Sequence, residues 1–153
     1  MDAQQYDPPI NPGLFNREVI MEITDWSLEF EIGFARDFKP APHRYREYLD
    51  YHRGFRIAGC IVEPEELHDL SIAANLMPFG EEMSFGPDGL GNVGQIGIEP
   101  NSGGEPRLHV WLFFPEQMIS VIAVALGSGV RRIRIWGFGA TEQVAGVRAF
   151  AFN

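Results

Sequence analysis

The sequence predicts a mainly β domain, an antiparallel or mixed sheet or sandwich of about seven to eight strands with one or two short helices, with α+β as the alternative class. Three observations carry this expectation. Apolar and polar residues alternate with period two in stretch after stretch from Val19 onward. Gly, Pro and Asn punctuate the chain between these stretches, at spacings that leave room for strands and for little else. The 153 residues are 45% hydrophobic and 22% charged, the balance of a chain that folds around one core and is too short for two well-cored domains.

Residues 1–16 contain Asp7-Pro8-Pro9 and Asn11-Pro12-Gly13 and are expected to form an irregular arm, leaving 17–153 as a single globular domain. Val19, Met21 and Ile23 then alternate with polar neighbours. The phase slips at Thr24-Asp25, and Trp26, Leu28, Phe30, Ile32 and Phe34 resume it one residue out of step, which marks a turn or a bulge. Tyr45, Tyr48, Leu49 and His52 fall at i, i+3, i+4 and i+7 after Pro42, and Gly54 stands where a helix would end, so a helix is expected over 42–53.

Further strands are expected at 55–62, 70–76, 93–98, 108–114, 130–136 and 144–152. Between the strands at 108–114 and 130–136 lies 115–126, where Pro115 suits a first helical turn, Met118, Val121, Ile122 and Ala125 share a face, and Gly127 stops the run. A helix buried on several sides is the expectation, with strand as the alternative because the stretch is rich in β-branched residues. The strands on either side of it suit a right-handed parallel crossover or an antiparallel return. Within 130–136, Arg132 and Arg134 share a face with Trp136.

Charge is unevenly placed. The formal net charge is −9, and between Arg56 and Arg107 there are nine carboxylates and no Lys or Arg, so the remainder of the chain is balanced at twelve against twelve. The sign opposes a polyphosphate, so nucleic acid is not an expected partner. The acidic middle suits solvated loops and edges, or a surface for a basic protein partner. The opposite feature is 42–56, where Arg44, Arg46 and Arg53 accompany Tyr45, Tyr48 and Tyr51. Arg beside Tyr combines forked hydrogen bonding with ring contacts, which makes Arg44, Tyr45, Arg46, Tyr48, Tyr51 and Arg53 the expected ligand- or partner-binding residues.

No motif identifies a reaction. Gly89-Leu90-Gly91-Asn92-Val93-Gly94 has the glycine spacing of a dinucleotide fingerprint, but the next residues, Gln95-Ile96-Gly97-Ile98, form a strand pattern where the fingerprint needs a helix. Asp88 and Asn92 are spaced as in a calcium loop, yet Leu90 stands where another oxygen is required. His43, His52, His68 and His109 occur singly, without zinc spacing, and no metal or other cofactor is expected. The single cysteine, Cys60, forms no internal disulfide and is expected as a small buried thiol.

The densest group of titratable residues is Glu63, Glu65, Glu66, His68 and Asp69, of which Glu65, Glu66, His68 and Asp69 are the candidates for acid and base work. The functional expectation is a non-catalytic binding or protein-interaction module, the alternative being a small hydrolase-type enzyme built on those carboxylates and His68. The acidic, polar N-terminus and the lack of a long apolar run predict no secretory leader and no membrane span, hence a soluble, cytoplasmic protein with a protein partner.

Overall fold

The computed structural model of the protein describes residues 12–34, 49–78, 93–99, 107–140 and 144–153. Seven strands among them close into one barrel: β1 (Glu18–Phe34), β2 (Leu49–Glu63), β3 (Ser71–Pro78), β4 (Gly94–Glu99), β5 (Arg107–Phe114), β6 (Arg132–Phe138) and β7 (Val144–Phe152). The order around the barrel is β1-β2-β3-β5-β4-β7-β6, and β1 closes it by pairing with β6. A ring of strictly alternating directions needs an even number of strands. With seven, one neighbouring pair must run parallel, and that pair is β3 and β5, in register from Ile72 opposite Leu108 to Pro78 opposite Phe114. The mainly β class and the mixed sheet are thus as the sequence predicts.

Alternation fills the interior. Ile72, Ala74 and Leu76 of β3, Leu108, Val110 and Leu112 of β5, and Ile133 and Ile135 of β6 point inward and are buried, while the residues between them face out. Arg132 and Arg134 share the outer face of β6 with Trp136, and Arg134 lies 5.2 Å from the Trp136 ring. Arg134 bonds to Glu18, and Arg132 sits 3.9 Å from Glu22, so β1 neutralises the late arginines.

The two ends of the barrel are closed by short elements. β5 and β6 run in opposite directions, separated by β4 and β7, so the connection between them is no parallel crossover. It carries a 3-10 turn at Glu116–Met118 and the helix α1, Ile119–Gly127, in the place the sequence assigns to a helix. Ile122 and Leu126 enter the core, with Ile119 and Ala123 packed against it. The buried stripe is therefore not the expected Met118, Val121, Ile122 and Ala125, and burial is one-sided: Met118, Val121 and Val124 are exposed.

At the other end, Pro12–Asn16, the last part of the segment expected to be an irregular arm, forms a 3-10 turn whose Phe15 is fully buried in the core. The Asn16 side chain accepts a hydrogen bond from the Ala140 N–H at 2.8 Å and holds the turn against the end of β6. A second short turn, Glu65–Leu67, buries Leu67.

The helix expected over 42–53 is corrected where it is described: residues 49–53 belong to β2 and pair antiparallel with β1, from Leu49 opposite Phe34 to Arg53 opposite Phe30. Residues 42–48 lie outside the described residues. Gly54, read as a helix end, is buried inside the strand, where an added Cβ would stand 2.5 Å from the Leu76 carbonyl oxygen. Cys60, expected in the interior, is partly exposed and sits opposite Glu22 and Ser71, on the outward phase of β2.

Candidate functional site

The phase slip at Thr24-Asp25 is a register shift in the β1–β2 ladder, between Ile23 and Asp25. Up to Glu22, β1 pairs with β6 on one side and β2 on the other, and the Ile23 N–H still donates to the Arg131 carbonyl at 2.7 Å. From Asp25 to Phe34 it pairs, among the described residues, with β2 alone. Among the described residues β2 in turn pairs with β3 from Phe55 to Cys60 and with β1 alone before that. The two strands therefore leave the barrel as a two-stranded ribbon at the end where α1 lies.

Pairing tells which face each side chain takes. Trp26 opposes Ile57 and Leu28 opposes Phe55, so this row continues the phase of the barrel interior. Among the described residues no core receives it beyond the barrel: Trp26, Leu28 and Phe30 are 37%, 50% and 67% exposed, rising with distance along the ribbon. An aromatic series links the row to the core, from Phe114 to Phe55 at 6.1 Å between ring centroids and from Phe55 to Trp26 at 6.5 Å. Arg53, opposite Phe30, is ion-paired with Glu116 just ahead of α1, which ties the ribbon to the helical cap. Exposed Val121 and Val124 place further apolar surface at that end.

The other row of the ribbon is acidic. Asp25, Ser27 and Glu29 face a groove of about 560 Å³ across the outer surface of β1, β2, β3 and β5. Its floor is small, Ala58 and Ala73, and its far wall carries Asn75, His109 and Trp111. These meet through the parallel register that sets Ala73 beside His109 and Asn75 beside Trp111. The Asn75 amide nitrogen lies 2.7 Å from His109 Nε2; with the amide as donor, that ring nitrogen accepts and the ring proton sits on Nδ1. His109 stacks on Trp111 with centroids 4.8 Å apart and planes 17° apart, while Glu29 on the near wall pairs with Arg56 at 3.1 Å. This is a polar and aromatic recess with fixed side chains, suited to binding.

The acid/base candidates are at the opposite end, after β2. Glu65, Glu66 and His68 border an open hollow with Arg17 and Glu63, and His68 Nδ1 is 3.1 Å from the Asp69 carboxylate. So the fold does bring the four together. They are solvated, however, with the His68 and Asp69 side chains 54% and 81% exposed. A hydrogen bond from its own backbone N–H and then the Arg17 guanidinium, 2.9 Å away, hold the Glu66 carboxyl below its ordinary value near 4.5. A general acid working near neutral pH needs the opposite shift.

That direction fixes a sign. The ionised form of Glu66 favours the fold, so its contribution is present above the unfolded value and disappears as pH falls through the lower folded value. Glu66→Gln is expected to lower the melting temperature slightly at pH 7 and to leave it unchanged at about pH 2, read by parallel thermal melts.

Of the expected binding residues, Arg44, Tyr45, Arg46 and Tyr48 lie outside the described residues. Tyr51 is placed in β2 opposite Ile32, and Arg53 serves the Glu116 ion pair. The features reasoning from sequence missed are the exposed row Trp26, Leu28 and Phe30 and the Asn75, His109 and Trp111 wall. The alternation around Trp26 carried a signal for the first; nothing local signals the second. Among the described residues no group of three or more His, Cys, Asp or Glu is placed to hold a metal ion, and no helix is long and apolar enough to cross a membrane. No family model, curated protein or solved structure matches the chain.

Proposed function

We propose that this protein is a non-catalytic protein-interaction module that receives its partner on the ribbon formed by the outer halves of β1 and β2. The observation that supports this is the row Trp26, Leu28 and Phe30, large apolar side chains exposed side by side on a strand whose earlier half is locked into the barrel. Burying apolar area of this size against a partner returns roughly 25 cal/mol per Å² removed from water, and the series Trp26, Phe55 and Phe114 joins the start of the row to the core. The rival, an acid/base hydrolase at Glu65, Glu66, His68 and Asp69, has its side chains together but in an open, solvated hollow with Glu66 shifted the wrong way.

Selection of a random peptide library on the immobilised protein tests the reading. The recovered peptides are expected to lose binding to the variant carrying Leu28→Lys and Phe30→Lys and to keep it on His68→Ala. Failure to recover any peptide, or loss on His68→Ala alone, would move the function away from the ribbon.

Nucleic acid is not part of the proposal. Arg132 and Arg134 are offset by Glu22 and Glu18, so submicromolar protein is expected to give no salt-sensitive mobility shift with duplex DNA.

A further inference from the structure

We infer that the ribbon binds an extended basic segment of a partner protein by strand addition to the edge of β1, an inference that rests on the reading of the ribbon as the partner surface. A strand paired on one side presents its remaining N–H and C=O groups to a further strand, and between Asp25 and Phe34 the described pairing of β1 is with β2 alone; the Trp26 N–H donates to the Asp25 carboxylate at 2.9 Å, which leaves the Leu28 and Phe30 N–H groups as the donors on offer. Main-chain bonds of this kind supply affinity for a peptide of many sequences, while the side chains on the two faces choose among them.

Those two faces differ sharply. A strand added beside β1 would set alternate side chains against Trp26, Leu28 and Phe30 on one face and, on the other, against Asp25 and against Glu29, which already pairs with Arg56. The first row selects apolar residues. The second selects cations, and arginine above lysine, because its planar fork meets a carboxylate through two parallel hydrogen bonds. The carboxylate excess between Arg56 and Arg107, away from β1 in sequence, gives the molecule its net charge of −9, which favours the approach of a basic over an acidic segment. The fitting ligand is therefore an extended segment that alternates arginine with leucine or a β-branched residue.

Charge also argues against a second copy of this chain as the occupant. Antiparallel self-pairing centred on Ser27 would set Asp25 directly opposite Glu29, like charges on neighbouring strands, in two molecules that already repel.

The probe is a synthetic peptide of about eight residues alternating arginine and leucine, with two controls: the same peptide with glutamate for arginine, and the same peptide methylated on alternate backbone nitrogens. Binding is followed by calorimetry and by amide hydrogen exchange of the full chain. The arginine peptide is expected to bind and to slow exchange at the Leu28 and Phe30 amides, the glutamate peptide to fail, and the methylated peptide to fail although its charge is unchanged. Asp25→Asn is expected to weaken binding about threefold to fivefold, and Leu28→Lys to abolish it with little change in the melting temperature.

Equal binding by the methylated peptide would overturn strand addition, and equal binding by the glutamate peptide would overturn the basic preference. Slow exchange of those amides in the free monomer would show the edge filled by the chain itself and overturn the proposal, as would a dimer in sedimentation that protects them. If library peptides map to the ribbon but are acidic or tolerate methylation, the inference fails while the interaction reading stands.

Discussion

Phe15→Ala is expected to destabilise the protein by about 3–5 kcal/mol, the range for removing a fully buried phenylalanine. Its side chain has no exposure and closes the end of the barrel opposite α1, so truncation opens a void at the mouth that neighbouring strands, held in a closed ring, cannot collapse to fill. Against a total stability of roughly 5–15 kcal/mol, a loss of that size unfolds a large part of the population of a marginal protein. Urea unfolding would read it as a lower midpoint with the slope unchanged. A shift below about 1 kcal/mol, the level of an ordinary surface substitution, would show that the turn at Pro12–Asn16 does not plug the barrel.

The second large effect is expected at Gly137→Ala, through overpacking. A Cβ on Gly137 would overlap the Phe15 carbonyl oxygen, and both sides of the clash are backbone, so neither can rotate away. β6 is also held there by the Gly137 N–H, which donates to the Arg17 carbonyl at 3.3 Å. Overpacking in a core typically costs about 1–3 kcal/mol, and a clash of backbone with backbone belongs at or above the top of that range. Because both substitutions act on the turn that carries Phe15, one through its side chain and one through its backbone carbonyl, their effects should not add: the double variant is expected to lose less than the sum, measured as a double-mutant cycle in urea. Additivity within about 0.5 kcal/mol would separate the two sites.

Much of the barrel was legible because its information is local. A strand with one buried face must alternate, and the shift at Thr24-Asp25 shows in the sequence because an odd insertion moves every later side chain to the other face. Arg132 and Arg134 were assignable for the same reason, their neighbours Ile133 and Ile135 being buried. The stretch 42–53 failed because it satisfies two periods at once. Tyr45, Tyr48, Leu49 and His52 have helical spacing, yet Leu49, Tyr51, Arg53 and Phe55 have strand spacing, and pairing with β1 decides for the strand from Leu49 onward.

The groove was illegible for a different reason. Asn75 and His109 are separated by 34 positions and meet only because β3 and β5 are the one parallel pair, a consequence of closing an odd number of strands. The acid/base candidates were legible as a cluster, since Glu65, Glu66, His68 and Asp69 are nearly contiguous; their exposure is a property of the turn that carries them. Nor could alternation show that the row Trp26, Leu28 and Phe30 outruns the core, because the pattern is the same on both sides of the barrel rim.

The central claim, that the ribbon is where this protein meets its partner, is tested most directly by mapping a selected peptide on the backbone amide resonances of the protein. The ribbon account predicts that the perturbed amides cluster between Asp25 and Phe30 and on facing positions of β2 from Arg53 to Ala58, with Arg17 and the turn at Glu65–Leu67 unmoved. Perturbations centred on Glu65, Glu66, His68 and Asp69, with the ribbon silent, would contradict it.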